Sequence, residues 1–147
     1  MSIDSYLIIP LVEVIFCVGL LVVLMVSGKR HIARRPFAIF LGFMALWGAM
    51  IFMMRMSGSM SVAFIWERFV LASILSASIF FFRFTVTLTG SRPSKKLLYS
   101  LYGTYFVILA MLPTGLVVQG MQMMWYGKAP VIGALFPVYV LCAYVPL

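Results

Sequence analysis

The length of its apolar runs constrains this chain more than any other feature. The first run extends over residues 6–26 and holds a single charged side chain, Glu13. A helix of about 20 apolar residues crosses the roughly 30 Å hydrocarbon core of a bilayer. Because it satisfies its backbone polar groups internally, such a helix is stable in lipid. We predict an all-α, polytopic membrane bundle of about five transmembrane helices, at residues 6–27, 37–54, 62–88, 97–118 and 131–147.

Composition supports a membrane location. Of the 147 residues, 65% are hydrophobic and 10% are charged, whereas a soluble domain has about 25% charged residues. A domain of this length buries only about 70% of its chain surface, so the remaining apolar surface requires lipid. We therefore expect the lipid bilayer as a partner. We expect no nucleic acid, because a net charge of +8 is typical of loops that face anionic lipid.

Basic residues are concentrated in two of the predicted loops. The first and third loops carry seven of the eleven, namely Lys29, Arg30, Arg34, Arg35, Arg92, Lys95 and Lys96. Two crossings separate these loops, so both lie on the same side of the membrane. The positive-inside rule then predicts a multi-pass protein of the inner (plasma) membrane, with its N-terminus outside and its C-terminus cytoplasmic.

The two ends of the sequence lead to further expectations. The first run has no basic region before it and no small-residue cleavage site, so we expect it to be retained rather than removed as a signal peptide. The last run stops at Leu147 without a basic flank. We therefore expect residues 1–147 to be a single transmembrane domain that is truncated at its C-terminus.

Charged side chains inside the predicted helices are candidates for a site, because they are costly in lipid unless paired or hydrated. Glu13 and Arg68 lie at similar depths, roughly 10 Å from the same membrane face, and Glu67 precedes Arg68. These residues allow three interpretations: a Glu13–Arg68 ion pair, an interfacial Glu67 and Arg68 beside a protonated or hydrated Glu13, or a ligand or proton site. We interpret Arg83 as a side chain that snorkels to the headgroups, with a buried signalling contact as the alternative.

Small residues on the third helix predict close helix packing. Ala72 and Ser76, and likewise Ser73 and Ala77, have the small-xxx-small spacing that lets helices approach each other. A ligand pocket beside these serines is the alternative interpretation, since sites in bundles lie between helices.

The sequence offers little for metal or catalytic chemistry. Met121, Met123 and Met124 are weak candidates for a soft metal ion, but methionine is also a common apolar filler. Cys17 and Cys142 lie in apolar runs, where we expect inert thiols. A single histidine, His31, and the lack of a carboxylate cluster or phosphate-binding loop lead us to expect no cofactor and no enzymatic activity.

Several stretches in order along the chain resemble a known family. They are FLGFMALWGAM in the second helix, WERFVLASILSASIFFFRFTVTLTG in the third, MLPTG closing the fourth, and GKAPVIGALFPVYV entering the fifth. Their order is similar to that in the N-terminal seven-helix membrane region of sensor histidine kinases. The resemblance covers most of the chain, but two helices and any output domain of the family pattern are not in this sequence.

The resemblance implies a membrane-embedded sensory input region. A signal would shift helix packing and so alter a cytoplasmic output domain, which becomes an expected partner together with a second copy of the chain. No catalytic residue carries over, because the phosphoacceptor histidine of the family belongs to the missing part. Two other functions stay open, a transporter or channel subunit, which needs a polar path, and a structural subunit of a membrane complex, which needs a dedicated partner.

Overall fold

The computed structural model describes residues 5–27, 31–124 and 127–144, and four long helices dominate them. The helices are α1 (Ser5–Val26), α2 (Arg34–Met56), α3 (Met60–Thr89) and α4 (Lys95–Met111), which a 3-10 turn at Leu112–Thr114 extends. Each of the four segments is long and apolar enough to cross a membrane. The predicted all-α membrane bundle is confirmed for this part of the chain.

Short polar sequences set the ends of these helices. Ser59 precedes α3 and its hydroxyl accepts a hydrogen bond from the Val62 amide at 3.2 Å. Ser94 caps α4 in the same way through the Leu97 amide, also at 3.2 Å. Such caps satisfy amides that have no partner within the helix. Gly90 follows α3 with φ 66°, a left-handed conformation that favours glycine and ends a helix.

The first three helices pack side by side, with α2 between α1 and α3. Phenylalanine rings face one another along the α2–α3 interface: Phe37 and Phe84 at 4.7 Å between centroids, Phe40 and Phe81 at 5.2 Å, and Phe43 and Phe80 at 5.4 Å. The antiparallel order of these pairs fixes the register of the two helices. Helix α3 is the central element, because 44% of its membrane-crossing segment is buried inside the protein, against 11% for α1 and for α4.

A β-hairpin follows α4, where the sequence predicted the end of a helix and then a loop. Strand β1 (Val118–Met124) pairs antiparallel with β2 (Gly127–Ile132), with a bulge near its start. The fourth helix therefore does not reach residue 118. The chain leaves the helical path at Gly115, whose φ of 75° is left-handed, and Pro113 before it cannot continue a regular helix.

The fifth helix is much shorter than predicted within the described residues. Residues 131 and 132 belong to β2, and α5 extends over Phe136–Tyr144, while residues 145–147 lie outside the described part. Backbone contacts explain its late start. The amides of Gly133 and Leu135 donate to the carbonyls of Val117 and Leu116 at 2.9 and 3.0 Å. A Cβ at Gly133 would overlap the Leu116 carbonyl, so only glycine fits this crossing.

The core lies where α3, α4, the hairpin and α5 meet. It consists of Leu71, Leu75, Ile108, Leu112, Val117, Val118, Tyr139 and Ala143. The Tyr139 hydroxyl donates to the Leu71 carbonyl at 2.9 Å. This bond and the Gly133 crossing fasten α5 to α3 and to the segment before the hairpin.

The bundle has two chemically different ends. The start of α1, the end of α2, the start of α3 and the hairpin form what we call the hairpin end. The opposite end, the basic end, carries Arg34 and Arg35 at the start of α2, with Arg92, Lys95 and Lys96 between α3 and α4. Arg34 donates to the carbonyl of Met25 near the end of α1 at 2.8 Å. Lys29 and Arg30, the other members of the predicted basic loops, lie outside the described residues.

Candidate functional site

A group of polar side chains joins the hairpin to the bundle. We call Tyr6, Arg55, Ser57 and Lys128 the hairpin latch. Lys128 in β2 reaches the end of α2, where its ammonium donates to the Ser57 carbonyl, to the Ser57 hydroxyl at 3.0 Å and to the Met54 carbonyl at 3.5 Å. The last carbonyls of a helix have no partner within it and carry partial negative charge. Lys128 therefore acts as a C-terminal cap supplied by the hairpin.

Tyr6 connects the latch to the first helix. Its hydroxyl donates to the backbone carbonyl of Lys128 at 3.2 Å. Arg55 at the end of α2 donates to the Tyr6 carbonyl, and its guanidinium lies 3.7 Å from the centre of the Tyr6 ring. This distance is typical of a cation–π contact. Three segments that are distant in sequence thus meet at a single tyrosine.

The hairpin approaches Tyr6 closely because residue 127 is a glycine. Gly127 has a φ of 125°, which side-chain-bearing residues rarely adopt. A Cβ at this position would lie 2.7 Å from Cζ of the Tyr6 ring. The backbone conformation therefore requires glycine at the first residue of β2, and the missing Cβ leaves room for the Tyr6 ring.

The latch is cationic, and its acceptors within the described residues are carbonyl and hydroxyl oxygens rather than carboxylates. The Nε atom of Arg55 is buried and has no hydrogen-bond partner in this part of the chain. Hydrogen bonds from a charged donor are stronger than those from a neutral donor. Water or an anion can nevertheless replace the carbonyl oxygens as acceptors for Arg55 and Lys128. The arrangement holds the hairpin against the start of α1 and the end of α2.

The structure separates Glu13 from Arg68. Helix α2 lies between α1 and α3, and the described residues contain no ion pair between these two side chains. The Glu13 carboxyl lies at the α1–α2 interface, with its Cδ 3.5 Å from the position of a Cβ on Gly48. Its Oε1 is buried without a hydrogen bond to any described residue. Arg68 instead places its guanidinium 4.3 Å from the centre of the Phe64 ring.

Glu67 is the most deeply buried charged residue among those described. It is 6% exposed and lies one helical turn before Leu71, whose carbonyl accepts a hydrogen bond from the Tyr139 hydroxyl of α5. Glu67 therefore lies on the face of α3 that packs against α5.

The small residues of α3 lie at packed positions. Ser73, Ser76 and Ala77 are buried and Ala72 is half-buried. The hydroxyls of Ser73 and Ser76 bond to the carbonyls four residues earlier, at 2.8 and 2.7 Å. Ser76 also bonds to the Tyr105 hydroxyl on α4 at 3.0 Å.

The remaining sequence candidates lie apart from the latch. Arg83 is exposed near the end of α3. Met121 and Met123 share one face of β1, and Met124 lies on the other, because side chains alternate along a strand. This alternation divides the three thioethers between two faces.

Sequence reasoning missed the latch, although a signal for it exists. Arg55 and Lys128 are basic residues at the end of the bundle that has fewer of them, where the positive-inside rule gives no reason for basic residues. Their carbonyl acceptors now explain their position. No protein-family model, curated protein or solved structure matches this chain.

Proposed function

We propose that this chain is a membrane-embedded sensory input region that relays a signal at the hairpin end to an output domain at the basic end. The observation that carries the proposal is the hairpin latch. A few polar contacts at one end of the bundle join α1, α2 and the hairpin. A stimulus that binds the open form better than the closed form shifts their equilibrium, which is the physical requirement for a sensor.

The contacts of α5 provide a route from the latch to the rest of the bundle. Residues 133–135 alone separate β2 from α5, and the Gly133 crossing fixes the start of that helix. A displacement of the hairpin therefore moves α5 against the central helix α3, at the Tyr139–Leu71 contact. Helix α5 then continues toward the basic end, where Leu141 and Cys142 line the same cleft as Leu97 of α4.

The proposed orientation follows from charge. The basic end faces the cytoplasm, where positive loops are retained, and the hairpin end faces outward. The output domain is then a cytoplasmic kinase, cyclase or phosphodiesterase domain. It either follows residue 147 in the same protein or is a separate partner.

Two steps test the proposal. The DNA after the codon for Leu147, and the genes beside it, should encode such an output domain. Activity of that domain is then measured in membranes from cells that produce the complete protein or complex. We expect Lys128→Met, which opens the latch, to change basal output activity severalfold, and Arg35→Met, which removes an exposed charge at the basic end, to leave it unchanged.

The opposite results would point to another function. Adjacent DNA without an output domain, together with ion or solute flux through proteoliposomes that contain the chain, would replace the sensory proposal by transport. Equal output activity of wild-type and Lys128→Met protein, both correctly folded, would remove the latch from the mechanism.

A further inference from the structure

A cleft of about 240 Å³ opens between three helices at the basic half of the bundle. Leu75 and Ile79 of α3 form its floor, Leu97 and Leu101 of α4 one wall, and Leu141 of α5 the other. Ser100, Thr104 and Tyr105 of α4 contribute its three hydroxyl groups. The cleft is open on one side, along helices that cross the membrane.

The cleft exists because α4 packs tightly at only one of its ends. Toward the hairpin end, Ile108 and Leu112 are buried in the core, and Tyr105 bonds to Ser76 of α3. Toward the basic end, Leu97 is 52% exposed and Tyr99 is 76% exposed. The two ends of the same helix thus differ in how much protein covers them.

The side of α4 that lines the cleft is a continuous stripe. Its residues recur at helical spacing from the first turn of the helix: Leu97, Ser100, Leu101, Thr104 and Tyr105. The stripe leads from the basic end to the Ser76–Tyr105 hydrogen bond, which closes the cleft. A slender apolar group that enters at the start of α4 would lie along this stripe.

Charge at the mouth of the cleft selects the occupant. Lys95 and Lys96 are exposed and directly precede Leu97. The three acidic residues of the chain are Asp4, Glu13 and Glu67, so residues 68–147 contain none. Each lysine near a membrane surface adds about 1 kcal/mol of attraction for anionic lipid. An apolar groove with an uncompensated cationic rim complements a molecule with an acyl chain and a phosphate.

We propose that this cleft is a specific binding site for an anionic phospholipid, with one acyl chain along α4 and the phosphate at Lys95 and Lys96. The site is separate from the hairpin latch and does not depend on the sensory role. A bound lipid fills the space that α4 leaves beside α3 and α5. It therefore stabilises the loosely packed half of α4.

Native mass spectrometry of the detergent-purified chain measures the binding. The protein is titrated with phosphatidylglycerol, with phosphatidylcholine of the same acyl chains, and with glycerol phosphate, which has the anionic group but no acyl chain. We expect one phosphatidylglycerol molecule to bind tightly, phosphatidylcholine to bind more weakly and glycerol phosphate not to be retained. Replacing Lys95 and Lys96 by Gln should lower the affinity for phosphatidylglycerol about fivefold per lysine, or roughly thirtyfold for the pair. The affinity for phosphatidylcholine should change little.

Two tryptophan variants distinguish the cleft from the general lipid-facing surface. Thr104→Trp fills the cleft and should lower the bound amounts of phosphatidylglycerol and phosphatidylcholine to background. Val107→Trp makes a change of the same size on an α4 position that is 59% exposed and does not line the cleft, so it should bind lipid normally. Arg35→Gln is the charge control, since it removes a cation from the same end of the bundle without touching α4. Circular dichroism checks folding, and Ser100→Trp replaces Thr104→Trp if the latter loses helix content.

Three outcomes would overturn the site. One is equal binding of phosphatidylglycerol and phosphatidylcholine to the wild-type chain. Another is undiminished lipid binding by a folded cleft-filling variant. The third is a dimer whose cross-links map to residues 97–104, because the cleft would then hold a second copy of the chain rather than a lipid.

Discussion

At the hairpin end several charged donors bind backbone carbonyls and close the hairpin onto the helices. At the basic end Arg34 makes one such contact, to Met25, but aromatic rings join α2 to α3 and a cleft beside α4 stays open. Lys128 and Arg55 use their hydrogen bonds within the protein. Lys95 and Lys96 are exposed. The same residue type thus serves a tertiary contact at one end and is free for lipid at the other. Which role it takes depends on whether helix-terminal carbonyls lie within reach.

The largest expected effect breaks the hairpin end at its backbone. Replacing Gly133 by Val puts side-chain atoms into the Leu116 carbonyl and should lower the free energy of unfolding by about 3 kcal/mol. The crossing cannot relax without breaking the two backbone hydrogen bonds that the amides of Gly133 and Leu135 donate. An SDS titration of the protein in bicelles, followed by circular dichroism, measures this change. Gly103→Ala is the control, since its Cβ would meet open space and alanine favours a helix by about 0.5–1 kcal/mol. Equal stability of the two variants would contradict the packing described at Gly133.

The next effect tests the latch. Lys128→Met keeps a long apolar side chain but loses the ammonium that caps α2, so we expect a loss of about 2 kcal/mol in the same titration. Arg35→Met, which removes an exposed charge at the basic end, should change stability by less than about 0.5 kcal/mol. If both substitutions cost the same, the two ends would not differ in the way proposed here.

A smaller effect tests the aromatic contacts of the basic half. Phe81 packs between Phe40 and Phe84, at 5.2 and 6.2 Å between ring centres. Phe81→Leu conserves hydrophobicity but removes the ring interactions, which are worth about 1 kcal/mol. Phe16 on α1 is the control for the same substitution, because it is 65% exposed and makes no ring contact with any described residue. A loss at Phe16 equal to that at Phe81 would show that ring pairing contributes nothing specific.

The long helices could be predicted from the sequence because their signals are local. The predicted segment 6–27 corresponds to α1 at Ser5–Val26, and the segment 62–88 to α3 at Met60–Thr89. Apolar length and capping serines decide these boundaries within one stretch of chain. The prediction was wrong for the N-terminal part of the fifth helix, where residues 131 and 132 belong to β2. Their strand conformation depends on pairing with β1 and not on their own apolar character.

The site was harder to predict because its contacts are long-range. Tyr6 and Lys128 are 122 positions apart, and their meeting depends on how α1, α2 and the hairpin assemble. Counting residues along each helix placed Glu13 and Arg68 at a similar depth in the membrane. This count gives no information on which helices are neighbours. The position of α2 between α1 and α3 separates them.

The smallest expected effect concerns the boundary between the two halves, at the Ser76–Tyr105 hydrogen bond. The bond joins α3 to α4 at 3.0 Å, where the tightly packed part of α4 meets the cleft. Hydrogen bonds between membrane helices contribute about 0.6 kcal/mol on average, so Ser76→Ala and Tyr105→Phe should each cost roughly that amount. Because both remove the same bond, the double variant should cost little more than either single one. Fully additive losses in this double-mutant cycle would mean that the two hydroxyls act independently and that their hydrogen bond does not hold α4 to α3.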